Sequence, residues 1–403
     1  MNYPNKIPKH WQVKKLGEIC EILDNKRKPI NSSEREMRLN LSTQRFPYFG
    51  ATGQVGFIDD YIFDFEAILL GEDGAPFLDF FKKKAYIVSG KYWVNNHAHI
   101  LKAINGISTN HFVCYFLNSI NYAPYVSGTT RLKLNQESMK NIEILLPPLD
   151  EQNLIVKNIE SCFKKIDFAI SNFKKSKELI EIYKQSVLSH AFNGKLTNSN
   201  LNSWQVKKLG EIAVTSSGGT PSRNKAEFWE NGSFYWIKSG ELSDDYINYS
   251  EEKITQLAID NSSSKILDKN TILVAMYGAT VGKLGILNTQ AATNQAICAI
   301  ANKQKPLFCV KFLYYYLLSI RPRMINDAFG GAQKNISQSY LRQLPIPLPA
   351  LSEQNLIVSE IEKRFKAADS ALNLIEQNLK KAEILKQSIL SKAFNGELVK
   401  DKK

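Results

Sequence analysis

The sequence predicts an α/β (α+β) protein of two homologous globular domains, joined by two long helices that form an antiparallel coiled coil. Three observations carry this reading. The nine residues WQVKKLGEI stand at Trp11 to Ile19 and again, unchanged, at Trp204 to Ile212, 193 positions later. That interval is far longer than a solenoid unit of about 20 to 50 residues, so the repeat is a whole domain. Residues 150–196 and 352–398 share 24 identities in 47 aligned positions at one fixed offset of 202, whereas the preceding tracts share only short phrases at drifting offsets. Thus ILLGEDGA from Ile68 faces ILVAMYGA from Ile272, NNHA ending at Ala98 faces TNQA ending at Ala296, and FVCYFLNSI from Phe112 faces FLYYYLLSI from Phe312.

Taken in order, the expected parts are a first domain over 1–148, a helix over 149–196, a second domain over 197–350 and a second helix over 351–403. The variable domains mix strand-like runs (YFGATGQVGFI, DKNTILVAMYGATVG) with short helical ones and Gly-rich turns. Each helix follows prolines, in LPPL and IPLPAL, with Asp150 and Ser352 as N-cap candidates; Gly194 and Gly396 suit its end. In the first helix Ile155, Ile159, Cys162, Ile166, Ala169, Phe173, Ser176, Ile180, Tyr183 and Val187 alternate spacings of four and three, a coiled-coil seam. The second keeps Ile357, Ile361, Ala368, Ala371, Ile375, Ala382, Leu385 and Ile389, with Arg364 and Asn378 as polar interruptions. Such a helix is a rod of roughly 60 Å. The short link from Asn193 to Ser203 reaches at most about 40 Å, so the second helix most simply runs back along the first. The alternative is two independent amphipathic helices, each packed on its own domain.

Lys and Arg exceed Asp and Glu by 13 and the pI is near 9.2, which suits a polyanionic partner such as nucleic acid. The five cysteines are scattered and odd in number, so neither a disulfide framework nor a metal knuckle is indicated, and a reducing cytoplasm fits. The opening residues lack the apolar core of a signal peptide, and the most apolar stretch, LFCVKFLYYYLLSI, is short and carries Lys311, so no membrane span is expected.

Catalytic motifs are not found. GATVGKLG at Gly278 has three residues between its glycines and Leu284 after its lysine, so it is not a phosphate loop. No methyltransferase cofactor loop or Asn/Asp-Pro-Pro-aromatic motif occurs. His97 and His99 would share one face of a strand with no acidic or thiol partner in view, which favours a hydrogen-bonded or DNA-facing pair over metal ligands.

Polar recognition is better supported. SGTTRLKLNQ (Ser127 to Gln136) aligns with GGAQKNISQ (Gly330 to Gln338), so each copy carries a Gly-rich polar loop before its long helix. Thr129, Thr130, Arg131 and Lys133, against Gln333, Lys334 and Asn335, bring donors and acceptors suited to base edges and phosphates: Arg or Lys for guanine O6/N7, Gln or Asn for adenine. In the first domain Tyr48, Thr52 and Gln54 of YFGATGQ and Asn96 and His97 of NNHA join them. In the second, Thr220, Ser222 and Arg223 of SSGGTPSR do so, with Lys238, Tyr277 and Lys283.

With its paired W-x-x-x-x-L-G-E-I openings, P-P-L-x-E-Q and P-A-L-S-E-Q helix starts, AFNG helix ends and SGGTPSR…FYWIKSGEL…ATNQA, the chain resembles the specificity subunits of type I restriction-modification systems over essentially its whole length. The resemblance implies two target-recognition domains, each reading half of a split double-stranded DNA sequence. It also implies a coiled coil that docks two methyltransferase subunits, which use S-adenosylmethionine, together with motor-nuclease subunits. This chain would be the non-catalytic reader, with no cofactor or metal of its own. A type II system with a separate specificity chain has similar architecture, and a coiled-coil scaffold without DNA affinity is the rival from another class.

Overall fold

A computed structural model describes residues 8–328 and 335–398. It comprises two units, Met1–Lys175 with Ile375–Lys403, and Ser176–Leu374. Each unit therefore contains one globular domain and a stretch of both long helices.

In the first unit, Gln12–Lys15 pairs antiparallel with Glu143–Leu146, bringing the end of the domain back to its beginning. A four-stranded antiparallel sheet runs in the order Cys20–Ile22, Ala98–Ala103, Ala67–Gly71, Ala85–Val88. A second sheet runs Gly53–Ile58, Phe46–Gly50, Lys91–Val94, Phe63–Asp64, with its two middle strands parallel. The strand Ala67–Gly71 is buried along its whole length because both faces are covered. Ile68 and Leu70 enter one core, and Ala67 and Leu69, on the opposite face, enter another.

The second unit repeats the plan. Gln205–Lys208 pairs with Pro345–Leu348, and a five-stranded sheet runs Ala213–Ser217, Ile297–Asn302, Ile272–Ala275, Leu284–Leu287, Asp245–Ile247. Ile272 and Val274 face one core, Leu273 and Ala275 another. A three-stranded sheet of Lys253–Ile254, Phe234–Ile237 and Ala291–Thr293 completes it.

The duplicated phrases meet in space. The Trp11 indole Nε1 donates to Glu151 Oε1 at 3.0 Å, and Trp204 Nε1 donates to Glu353 Oε1 at 3.0 Å. The neighbouring glutamines are fully buried. Gln152 accepts from the Ser108 hydroxyl and donates to the carbonyls of Ile107 and Pro147. Gln354 accepts from the Cys309 amide and donates to those of Leu307 and Pro349. Buried polar groups must be paired, so each Glu-Gln step locks the start of its long helix onto its own domain.

The long helices are Leu149–Phe192 and Leu351–Phe394, so each begins one residue before its expected cap, Asp150 or Ser352. Gly194 and Gly396 have φ of 76° and 77°, the left-handed geometry expected after a helix end. Within each unit the helix segments run antiparallel. In the first, Ile155 and Ile159 share a core with Leu390, Ala393 and Phe394, and Lys386 donates to Asp167. In the second, Ile357 and Ile361 share a core with Val187, Leu188 and Ala191, and Lys184 donates to Asp369 at 2.5 Å. The offset of 202 maps one ion pair onto the other.

Of the seam residues, Ile166 and Ile375 are buried as well, and Phe173, Ile180 and Ile389 are half-buried. Tyr183 and Leu385 are exposed, at 45% and 50%. The seam pattern assumed 3.5 residues per turn, but a straight helix drifts by about 20° per heptad against it. In the last turns the buried stripe keeps Val187 and takes in Leu188 and Leu390 beside it. Among the described residues no helix is long and apolar enough to cross a membrane.

Candidate nucleic-acid interface

In the first domain the polar loop closes on itself. Ser127 and Lys133 exchange backbone hydrogen bonds of 2.9 and 2.8 Å, and Gly128, at φ 103°, leaves room for the Arg131 carbonyl that a Cβ would meet at 2.5 Å. The loop sits against the turn Glu72-Asp73-Gly74: the Leu134 amide donates to the Glu72 carbonyl at 2.7 Å, and Asp73 and Lys133 form a β-bridge. Asp73 Oδ1 accepts from Arg131 Nη2 at 2.6 Å and from His97 Nδ1 at 2.7 Å. Gly74, at φ 67°, lets the Arg131 guanidinium lie against the turn. Two candidate readers thus converge on a carboxylate that sequence reasoning missed.

Behind them lies a buried ion network. Glu72 pairs with Arg27 at 2.6 Å and Lys133 at 3.2 Å. His99 is 1% exposed; its Nδ1 faces Asp24 Oδ2 at 2.6 Å and its Nε2 faces the Leu134 carbonyl at 2.8 Å. Asp24 also accepts from the Ile100 amide and from Gln136. Burial pulls the Asp24 pKa upward, but the His99 bond and charge, the Ile100 amide and Arg27 outweigh it, and the carboxyl sits below its ordinary value. Asp24, Glu72 and His99 present ligand-type atoms within 4.8 Å of one another. Both His99 nitrogens already face oxygen partners, however, Asp24 Oδ2 and the Leu134 carbonyl, so neither is turned toward an open metal position. The acidic partners missing from the sequence reading are therefore Asp73 for His97 and Asp24 for His99. The two histidines also lie apart, His97 in a turn and His99 on the strand Ala98–Ala103.

The second domain uses the same frame with different chemistry. The Ile336 amide donates to the Met276 carbonyl at 2.8 Å, and Tyr277 and Asn335 form the equivalent bridge. Met276 and Tyr277 stand where Glu72 and Asp73 do. A separate cationic cluster lies on the three-stranded sheet: the Arg223 guanidinium stacks 3.8 Å from the Trp229 ring centre and shares Glu252 with Lys238. The Arg223 hydrogen bond and then Lys238 hold the Glu252 pKa low against partial burial. Thr220 donates to Gln295, another residue the sequence reading did not single out.

The family profile described as type I restriction modification DNA specificity domain matches residues 8–180 and again 202–384. The chain belongs to this family. It is similar to a putative type I restriction enzyme specificity subunit of Haemophilus influenzae, 26% identical over 94% of each chain. The EcoR124I/EcoR124II specificity subunit of Escherichia coli is 28% identical over 68% of this chain and 67% of its own. In fold it is similar to a solved chain from work on complex assembly and conformational transition of the type I R-M system, at TM-score 0.72 and 18% identity, covering 98% of this chain and 100% of that one. The HsdS subunit of Thermoanaerobacter tengcongensis gives 0.56 at 19% identity, with 98% and 99% covered. The family's members are DNA sequence-recognition subunits without catalysis of their own.

In this specificity subunit Thr129, Thr130, Arg131 and Lys133 are exposed on one loop, with Asn96 and His97 on the adjoining turn. Thr52 is exposed on the loop whose Ala51 carbonyl abuts Gly71. Gln54 is exposed and bonds to the Gly56 carbonyl. Tyr48 is buried under the Arg35 guanidinium, and burial raises its hydroxyl pKa, so its side chain is part of the core rather than the surface. Thr220, Ser222, Arg223, Tyr277 and Lys283 are exposed, and Lys238 and Asn335 half-buried. Gln333 and Lys334 lie outside the described residues. The structure also shifts one alignment: Asn95 and Asn294 both accept from the amide two residues on, so NNH corresponds to NQA, and His97 to Ala296.

Proposed function

We propose that each domain of this specificity subunit reads one half of a split double-stranded DNA target, mainly through the loop before its long helix. The observation that carries the reading is the duplicated bridge, Asp73 with Lys133 and Tyr277 with Asn335: one frame, presenting charged groups in one domain and neutral ones in the other. Equal frames with unequal chemistry are what an asymmetric two-part target requires. The paired helices, whose surface repeats at an offset of 202, suit the docking of two methyltransferase subunits. Those subunits would bring S-adenosylmethionine, which this chain would not itself hold, and restriction-motor subunits would complete a cytoplasmic enzyme. Five free cysteines fit that reducing compartment. Selection from a random duplex library, by the chain with its methyltransferase partner, tests the reading: a two-part motif with a fixed gap is expected, and recovery without any motif would refute it.

A further inference from the structure

Asp73 is an acidic side chain placed between two candidate base readers of the first domain, Arg131 and His97. Its Oδ1 takes both Arg131 and His97, at 2.6 and 2.7 Å, and among the described residues its Oδ2 takes no hydrogen bond. The Arg131 guanidinium, 60% exposed on its side chain, is tethered through Nη2 and lies with Nη2, Nε and Cζ against Gly74, so Nη1 is the guanidinium nitrogen not among these contacts. Tethering one edge of a guanidinium fixes the direction of the other, and a fork held in place discriminates where a mobile one only attracts. Two guanidinium donors followed by a carboxylate oxygen with no hydrogen bond of its own match the major-groove edge of one base pair only. Guanine offers two acceptors, and its cytosine partner offers an amino donor.

Resting on the reading of this loop as DNA-facing, we infer that Asp73 is a specificity-determining residue of the first domain. It positions Arg131 on guanine O6/N7 and offers Oδ2 to the cytosine amino group of the same G·C pair. The second domain has Tyr277 at this place and Ala296 at that of His97, so its half-site does not use the device.

Random-duplex selection and binding titrations with the chain in complex with its methyltransferase partner decide it, using Asp73→Asn and Arg131→Ala. Both variants should lose preference at the same single G·C position of the first half-site, by about 5- to 150-fold, and the double variant should lose no more than either alone. Removing a negative charge should at the same time raise affinity for unrelated DNA in Asp73→Asn. The unchanged second half-site reports that the protein remains folded. If Arg131→Ala relaxes a position that Asp73→Asn leaves intact, the Asp73 role is overturned while the loop reading stands. If Arg131→Ala weakens all sequences equally, Arg131 holds phosphate and the inference falls. If neither variant changes any position or any affinity, the loop does not face DNA and both readings fall.

Discussion

Asp24 illustrates how much a single carboxylate can organise. Its side chain is 5% exposed and joins the strand Ala98–Ala103, through His99 and Ile100, to the polar loop through Gln136. Because its folded pKa lies below the ordinary 3.8, its contribution is complete above that value and lost as the pH falls through the lowered one. The first unit should therefore lose stability on acidification below about pH 4. Replacing Asp24 by Asn should cost about 3 kcal/mol at pH 7, as breaking a buried ion pair does, and should flatten that acid limb in denaturant titrations repeated at pH 7 and below about pH 4. None of this was legible from the sequence. Asp24, Glu72, His99 and Gln136 share no motif, and only sheet register and loop closure bring them together.

At the scale of elements, the Trp-Glu and Gln contacts explain why the opening phrase and the helix start resist change between the copies. Gln152→Leu would leave the Ile107 and Pro147 carbonyls and the Ser108 hydroxyl without their partner. A loss of about 3 kcal/mol is expected, confined to the first unit's transition in chemical denaturation. Gln354→Leu should do the same to the second. The duplicated ion pairs are a contrast: Asp167 and Asp369 are 60% and 58% exposed, so a double-mutant cycle on Lys386 and Asp167 should return about 0.5 kcal/mol, falling with salt. Their recurrence reflects descent from one repeat, and their energy is small. These elements were readable in advance because internal duplication marks the residues under local constraint.

For the whole molecule, the proposed reading makes helix length the ruler between half-sites. Inserting one heptad into each long helix preserves the seam and adds about 10 Å, or about three base pairs. The selected motif should keep both half-site sequences and lengthen its spacer. Affinity should drop in part, because the added base pairs also rotate one half-site about the DNA axis relative to the other. An unchanged spacer, or altered half-site bases, would refute the ruler.

The sequence by itself determined the repeat, the two domains, the helix pair and the place of the polar loops. These rest on periodicity, glycine and proline punctuation and duplicated phrases, all of which act over a few residues and survive in one dimension. Only the tertiary structure decided which charges meet. The partners of Arg131 and His99 lie 58 and 75 positions away along the chain. It decided, too, that NNH and not NHA matches NQA, since the two adjacent asparagines of that phrase made the alignment ambiguous until the backbone register chose between them. It left Tyr183 and Leu385 exposed while Val187 and Ala382 stayed buried, because the turn of a straight helix is 3.6 residues and the pattern assumed 3.5. Local forces write their period into the chain, whereas an ion network is specified by where strands lie side by side, and that position has no signature in the order of residues.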